Sequence, residues 1–456
     1  MSALGRLGRR VSEDLDGHYT IRPDVPEAPP SRFRPKLGKR LSPRAWHAAF
    51  NKSNQLDLAK VITRIQRGGI DPSIRAEVWE FLLGAFPPDS TNEARTTLRL
   101  QRRKEYAKLK ETCQAMDSAV GSGEVVTLPR IDEDEVKPKK DEGIRRRQTK
   151  KHRDDESGSS DLEQTNGNEN AAMDDSVKNW KLILHQIGLD VVRTDRMLQF
   201  YEVPQNQARL WDILALYAWY DQEIGYCQGM SDLCSPLVVL YTDDADAFWV
   251  FERIMARVRA NFLCTEKAVG VQKQLENLAS IMKLMDPKLH QHLEQLGGGN
   301  YIFSFRMVMV LFRREFSFAD TLYLWEMMWA SEFVPASPKD WKSSKTYSWS
   351  GKFGKQLLKI GTTKDPGSNA PMAVFCMGAI FEMQRTRLLK ETQGLDDVVK
   401  LLNEITGKVD PKVACKKAVK LHRAYLHKHV LGVVAMIQDV RSLAGLKSLE
   451  EGMEVH

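Results

Sequence analysis

The chain is 456 residues long, 42% hydrophobic and 28% charged, with a formal net charge of +7. That balance excludes a disordered, collagen-like or coiled-coil chain, and the length suits one large domain with tails and insertions or about three average domains. So small a net charge does not imply a dedicated nucleic-acid binder.

Residues 1 to about 42 carry five prolines and no sustained apolar periodicity, and read as a flexible N-terminal arm. A short helix is expected at Ser42-Pro43-Arg44-Ala45-Trp46, with Ser42 as cap and Pro43 at the first helical position. Trp46 and Phe50 would share a face. Asp71-Pro72 starts an amphipathic helix that carries Ile74, Val78, Phe81 and Leu82 at helical spacing and stops at Gly84. Basic helical sequence continues from Leu98 to Lys110.

Composition then shifts. Lys137 to Arg153 holds nine Lys/Arg against two acids, and Asp154 to Asp175 holds eight acids and no Lys/Arg. Such like-charge blocks bury too little to offset chain entropy, so a disordered charged insertion is expected over about 113–176. Helical periodicity resumes at Val177 and is read over Gln207 to Gln222, Phe248 to Phe262, Val271 to Met285, Phe303 to Phe316 and Ala319 to Ala330. A Lys-, Ser- and Gly-rich stretch at about 337–371 reads as a basic loop insertion. Helices return over Ala373 to Leu389, Leu395 to Ile405 and Pro411 to Tyr425, before a tail at 431–456. The expectation is an all-α fold: one large multi-helix domain over 43–430 with two long insertions.

Enzyme signatures are mostly missing. There is no G-x-x-x-x-G-K-[ST] loop to hold a nucleotide, no G-x-S-x-G elbow and no H-E-x-x-H. His290 and His292, two apart, fall on different helix faces and read as surface residues rather than metal ligands. Cys227 has no nearby histidine to activate it and reads as packing. The six cysteines form no C-x-x-C pair, no window approaches the about 18 apolar residues of a membrane span, and Arg6, Arg9 and Arg10 precede acids rather than an apolar core. A cytoplasmic protein is expected.

Two polar stretches precede apolar helices: Ile187-Gly188-Leu189-Asp190-Val191-Val192-Arg193-Thr194 and Gly225-Tyr226-Cys227-Gln228-Gly229-Met230-Ser231-Asp232-Leu233. The second, read alone, is also a helix start with Ser231 or Asp232 as cap. The two resemble the finger motifs I-x-x-D-x-x-R-T and Y-x-Q-G-M of the TBC domain, found in GTPase-activating proteins for Rab GTPases. Arg75 to Trp79 resembles that family's opening R-x-x-x-W. Phe305-Arg306, Phe312, Arg314-Glu315-Phe316 and Leu324-Trp325-Glu326 resemble its later region, with Met307 in place of its usual Trp. All stand in family order between about Ile65 and Tyr425. The segments Leu41 to Trp46 and Ile65 to Ile70 are most similar to plant-type members.

The resemblance implies an all-α Rab-GTPase activator that completes its partner's active site in trans. Arg193 would be the arginine finger, since a forked, permanently charged guanidinium suits the charge that develops on a transferring phosphoryl group. Gln228 would orient the attacking water, which a side-chain amide can both donate to and accept from. Supporting parts would fall to Asp190 and Thr194 in the arginine loop, Tyr226 beneath Gln228, Gly229 at the tight turn, and Arg75. Arg75 taken by itself reads as a solvated helix residue. The implied partner is a GTP-bound Rab-type GTPase that carries its own GTP and magnesium, with no cofactor, metal or nucleic acid bound by this chain. Membrane contact, peripheral and on endomembranes, is expected only through the lipidated partner. The alternatives are a Rab-binding scaffold without turnover and an adaptor that docks proteins through residues 137–175.

Overall fold

The computed structural model describes residues 39–128, 163–263, 270–332, 371–426 and 428. Their helices are α1 (Pro43–His47), α2 (Leu58–Gly68), α3 (Arg75–Leu82), α4 (Asn92–Met116), α5 (Glu163–Val191), α6 (Pro204–Tyr220), α7 (Met230–Leu240) and α8 (Asp244–Phe262). There follow α9 (Gly270–Met285), α10 (Pro287–Gln295), α11 (Phe305–Met309), α12 (Phe318–Glu332), α13 (Met372–Met383), α14 (Arg385–Glu391) and α15 (Leu395–Glu404). A last helix, α16, runs over 411–426. Among the described residues the only β-pairing is two isolated bridges, Leu41 with Ile70 and Phe50 with Leu56. The fold is all-α.

Apolar spacing dictates where each helix sits. In α2 the buried residues Leu58, Val61, Ile62 and Ile65 make one stripe, which packs on α12. In α13 nearly every side chain is apolar and buried, and in α6 the run from Leu210 to Ala218 is buried throughout with Asp212 its one charged member, so each is enclosed by neighbours: α6 by α5, α7 and α8, and α13 by α9 and α12. Trp79 of α3 stands edge-on to Trp329 at 5.0 Å and tilted against Trp325 at 6.2 Å, fastening the first segment to α12. The expected start signals are present: Ser42 Oγ accepts from the Ala45 N–H, Asp71 Oδ1 from the Ser73 N–H, and Trp46 and Phe50 meet edge-to-face at 4.9 Å.

Several expectations are corrected. Leu41 is fully buried and bridges Ile70, so the domain begins before residue 43. Residues 113–128 are part of the fold: Cys113 and Val120 are buried, and the Gly121 N–H donates to Asp212 Oδ1 at 2.8 Å. Residues 163–176, expected within the insertion, lie in α5. Phe303 to Phe316 is not one helix: α11 stops at Met309, and a turn follows with Leu311 and Phe312 at φ 46° and 63°. Ala373 to Leu389 is split at Gln384. His290 is buried, its Nδ1 3.2 Å from the Tyr301 hydroxyl, with burial pushing its pKa down. Most of the expected arm, the run Lys137 to Arg153, nearly all of the basic loop and the tail lie outside the described residues.

Candidate functional site

The arginine loop grows out of the end of α5. Ile187 and Val191 anchor that end in the core, and Gly188 is required because a Cβ there would lie 1.8 Å from the Val126 carbonyl oxygen. Asp190 is buried and Arg193 is not: its side chain is 53% exposed. Arg193 Nη2 donates to Asp190 Oδ1 at 2.5 Å. Thr194 Oγ1 donates to the Asp190 carbonyl at 2.8 Å and meets Ser231 Oγ at 2.9 Å, tying this loop to the first turn of α7. The backbone then turns through Asp195 at φ 48°.

The second loop joins α6 to α7. Gly225 (φ 63°) closes the turn after α6, and Asp221 at its start is held below the usual carboxylate range by hydrogen bonds from Arg259. Tyr226 reaches across and donates its hydroxyl to Asp190 Oδ2 at 2.7 Å. Burial and that neighbouring carboxylate raise the phenol's pKa, so it stays a donor. Gln228 is exposed. Gly229 caps α7 at φ 105°, where a Cβ would meet Val310 Cγ1 at 2.8 Å. The cap is therefore Gly229 and not Ser231 or Asp232, both of which lie within α7.

Beside these loops opens a cavity of about 510 Å³, lined among others by Arg193, Thr194, Met197, Ser231, Arg313 and Arg314. Its far wall is the turn after α11. Trp325 Nε1 donates to the Leu311 carbonyl at 2.7 Å, and the Gly407 N–H donates to the Glu315 carbonyl at 2.8 Å, holding the left-handed Leu311 and Phe312 in place. From this turn Arg313 pairs with Asp195 in a buried ion pair, and Ser235 Oγ donates to the other Asp195 oxygen at 2.5 Å. Arg314 Nη2 donates to Asp232 Oδ2 at 2.8 Å. Burial pushes the Asp232 carboxyl up, and Arg314 opposes this.

Asp190, Arg193, Thr194, Tyr226, Gln228 and Gly229 thus lie on two linked loops. Arg75 does not join them and is not solvated. It is 4% exposed and donates Nε to Glu326 Oε1 at 2.5 Å, while Glu326 Oε2 accepts the Ile70 N–H at 2.8 Å and Oε1 accepts Trp79 Nε1 at 3.3 Å. Burial raises the Glu326 carboxyl and Arg75 opposes it, so this pair locks α3 to α12. Sequence reading missed Asp195, Ser231, Asp232 and Arg313 as parts of the site. The signal available was charge in otherwise apolar sequence, which does not name a partner. Among the described residues no group of three or more His, Cys, Asp or Glu is arranged to hold a metal ion, and no helix is long and apolar enough to cross a membrane.

Arg193 and Gln228 thus stand exposed on two loops that are joined through Asp190, within an all-α frame. The family described as Rab-GTPase-TBC domain matches residues 146–336. The chain is 28% identical to Rab GTPase-activating protein 22 of Arabidopsis thaliana, covering 81% of this chain and 78% of that one. It is 29% identical to GTPase-activating protein gyp7 of Schizosaccharomyces pombe over 84% of this chain, but spans only 42% of that protein. It is 31% identical to human TBC1 domain family member 16 over 67% of this chain and 33% of that protein. The crystal structure of the Ypt/Rab-GAP domain of Gyp1p shares the fold, with a TM-score of 0.54 over 83% of this chain and 96% of that one at 16% identity. Residues 146–336 carry a TBC domain.

Proposed function

We propose that this protein accelerates GTP hydrolysis by a Rab-type small GTPase, supplying Arg193 and Gln228 in trans and so ending the GTPase's active state in vesicle traffic. The GTPase brings GTP and magnesium. Arg193 enters the nucleotide site and stabilises the charge that builds on the transferring γ-phosphoryl group, an effect worth about 10³ to 10⁵ in rate. Gln228 accepts a hydrogen bond from the attacking water and donates one to it, fixing it in line. Neither residue moves a proton in this step.

The observation that carries this reading is the shared carboxylate: Arg193 and Tyr226 bond to different oxygens of Asp190 at 2.5 and 2.7 Å. One buried anion therefore sets the separation of the two loops before a partner arrives, which lowers the ordering cost of forming the transition state. On engagement Arg193 exchanges Asp190 for phosphate oxygens, and Tyr226 keeps the carboxylate satisfied on its other oxygen.

Single-turnover phosphate release from a panel of GTP-loaded Rab proteins tests the reading. Stimulation of one or a few Rabs by catalytic amounts of the protein is the expected result. GTP-dependent capture of a Rab without any stimulation would favour the scaffold instead.

A further inference from the structure

The outer face of α16 carries charge that the fold does not use. Residues 411–428 contain six Lys/Arg and no acid. Ala414, Cys415, Ala418, Leu421 and Tyr425 turn inward and are buried, while Lys416, Lys420 and Arg423, spaced i, i+4 and i+7, are exposed on the opposite side. Lys412 lies over the Tyr323 ring at 5.1 Å and is occupied there. Lys416 and Arg423 have no ion-pair partner among the described residues. Glu382 lies within reach of Lys417, Lys420 and Arg385, and Asp286 is taken by Arg385 at 2.6 Å, so the face stays cationic.

At the far end of α16 the charge meets exposed apolar surface. Lys428 Nζ donates to the Leu284 carbonyl at 3.4 Å, which brings the end of α16 to the end of α9. Leu284 there is 40% exposed and Leu426 is 36% exposed, with Lys283 and Lys288 exposed nearby. From Lys416 to Arg423 the helix rise gives a cationic stripe about 10 Å long.

We propose that this face docks on an anionic lipid bilayer, the cations against acidic headgroups and Leu284 and Leu426 against the acyl boundary. A cationic face beside exposed leucines fits a fluid anionic bilayer, which takes both the charge and the apolar side chains, whereas a nucleic-acid backbone takes the charge alone. Each basic residue near an acidic leaflet contributes about fivefold to partition. Docking would bring the domain directly to a membrane without help from a lipidated partner, and it does not rest on the GTPase reading.

The test is sedimentation of the full chain with vesicles of phosphatidylcholine alone and of phosphatidylcholine with about one third phosphatidylserine. The expected result is binding to the acidic vesicles only, weakened by salt. Lys416→Glu, Lys420→Glu and Arg423→Glu combined should lower partition at least about 100-fold, with the thermal midpoint and the stimulation of a soluble Rab unchanged. Equal binding by this variant and the wild type, or no binding by the wild type, overturns the proposal. So does binding to poly-glutamate without binding to acidic vesicles, which would mark a protein-docking face. No GTPase enters the vesicle assay, so its failure is separate from any failure of the activator reading.

Discussion

The hydroxyl of Tyr226 donates to Oδ2 of Asp190 at 2.7 Å, joining two loops 36 residues apart in sequence. Because the other oxygen of that carboxylate accepts from Arg193, the bond sets where the arginine loop stands relative to Gln228. Removing the hydroxyl alone, with Tyr226→Phe, should lower stimulated hydrolysis about tenfold, the cost of one hydrogen bond to a charged acceptor. Binding of the GTP-loaded partner should hardly change, while the fold should lose about 1–3 kcal/mol because a buried carboxylate oxygen is left without its donor. Stopped-flow phosphate release beside an equilibrium binding titration reads rate and affinity.

Arg75 belongs to the frame. Arg75→Ala leaves the Glu326 carboxylate buried without its cation and should destabilise the domain by about 3–5 kcal/mol, read by urea unfolding. Activity per folded molecule should stay near wild type. A folded variant that had lost stimulation would place Arg75 in the catalytic surface instead.

Gly229 faces two constraints at once, a φ of 105° and a Cβ position 2.8 Å from Val310 Cγ1. Gly229→Ala should cost about 1–3 kcal/mol and displace Gln228, reducing stimulation. Adding Val310→Ala relieves the clash but not the backbone strain. The double variant should therefore recover only part of the loss in unfolding and turnover assays.

Burial pushes the Asp212 carboxyl up to about 6. The folded state thus holds this proton more tightly than the unfolded chain, whose carboxyl titrates near 3.9, and stability from this group falls as pH rises from about 4 to about 6. Asp212→Asn keeps an acceptor for the Gly121 N–H, which Asp212 now takes at 2.8 Å. It should flatten that slope and raise stability at pH 7 by about 1–2 kcal/mol. Thermal melts of both proteins across that range give the comparison.

The sequence made the frame legible where an amphipathic stripe or a cap residue settles the local structure, as in α9, α3 and α1. It showed the two loops because Asp190, Arg193 and Gln228 stand out beside apolar helices. It misled over Phe303 to Phe316, since Val308, Leu311, Phe312 and Phe316 are all buried by the turn and imitate a helical stripe. Arg313 was illegible for another reason. Its partner Asp195 lies 118 residues away, and nothing local distinguishes a buried ion pair from two solvated charges. Arg75 shows the same limit, with Glu326 251 residues away.

The account turns on Arg193 acting in the transition state rather than in binding. Single-turnover hydrolysis by a responsive GTP-loaded Rab, measured with wild type, Arg193→Lys and Arg193→Ala beside their binding constants, addresses this directly. The predicted result is a loss of about 10³-fold or more in stimulated rate for Arg193→Ala, little recovery with lysine, and binding within a few-fold of wild type. Stimulation by Arg193→Ala close to the wild-type rate would contradict it.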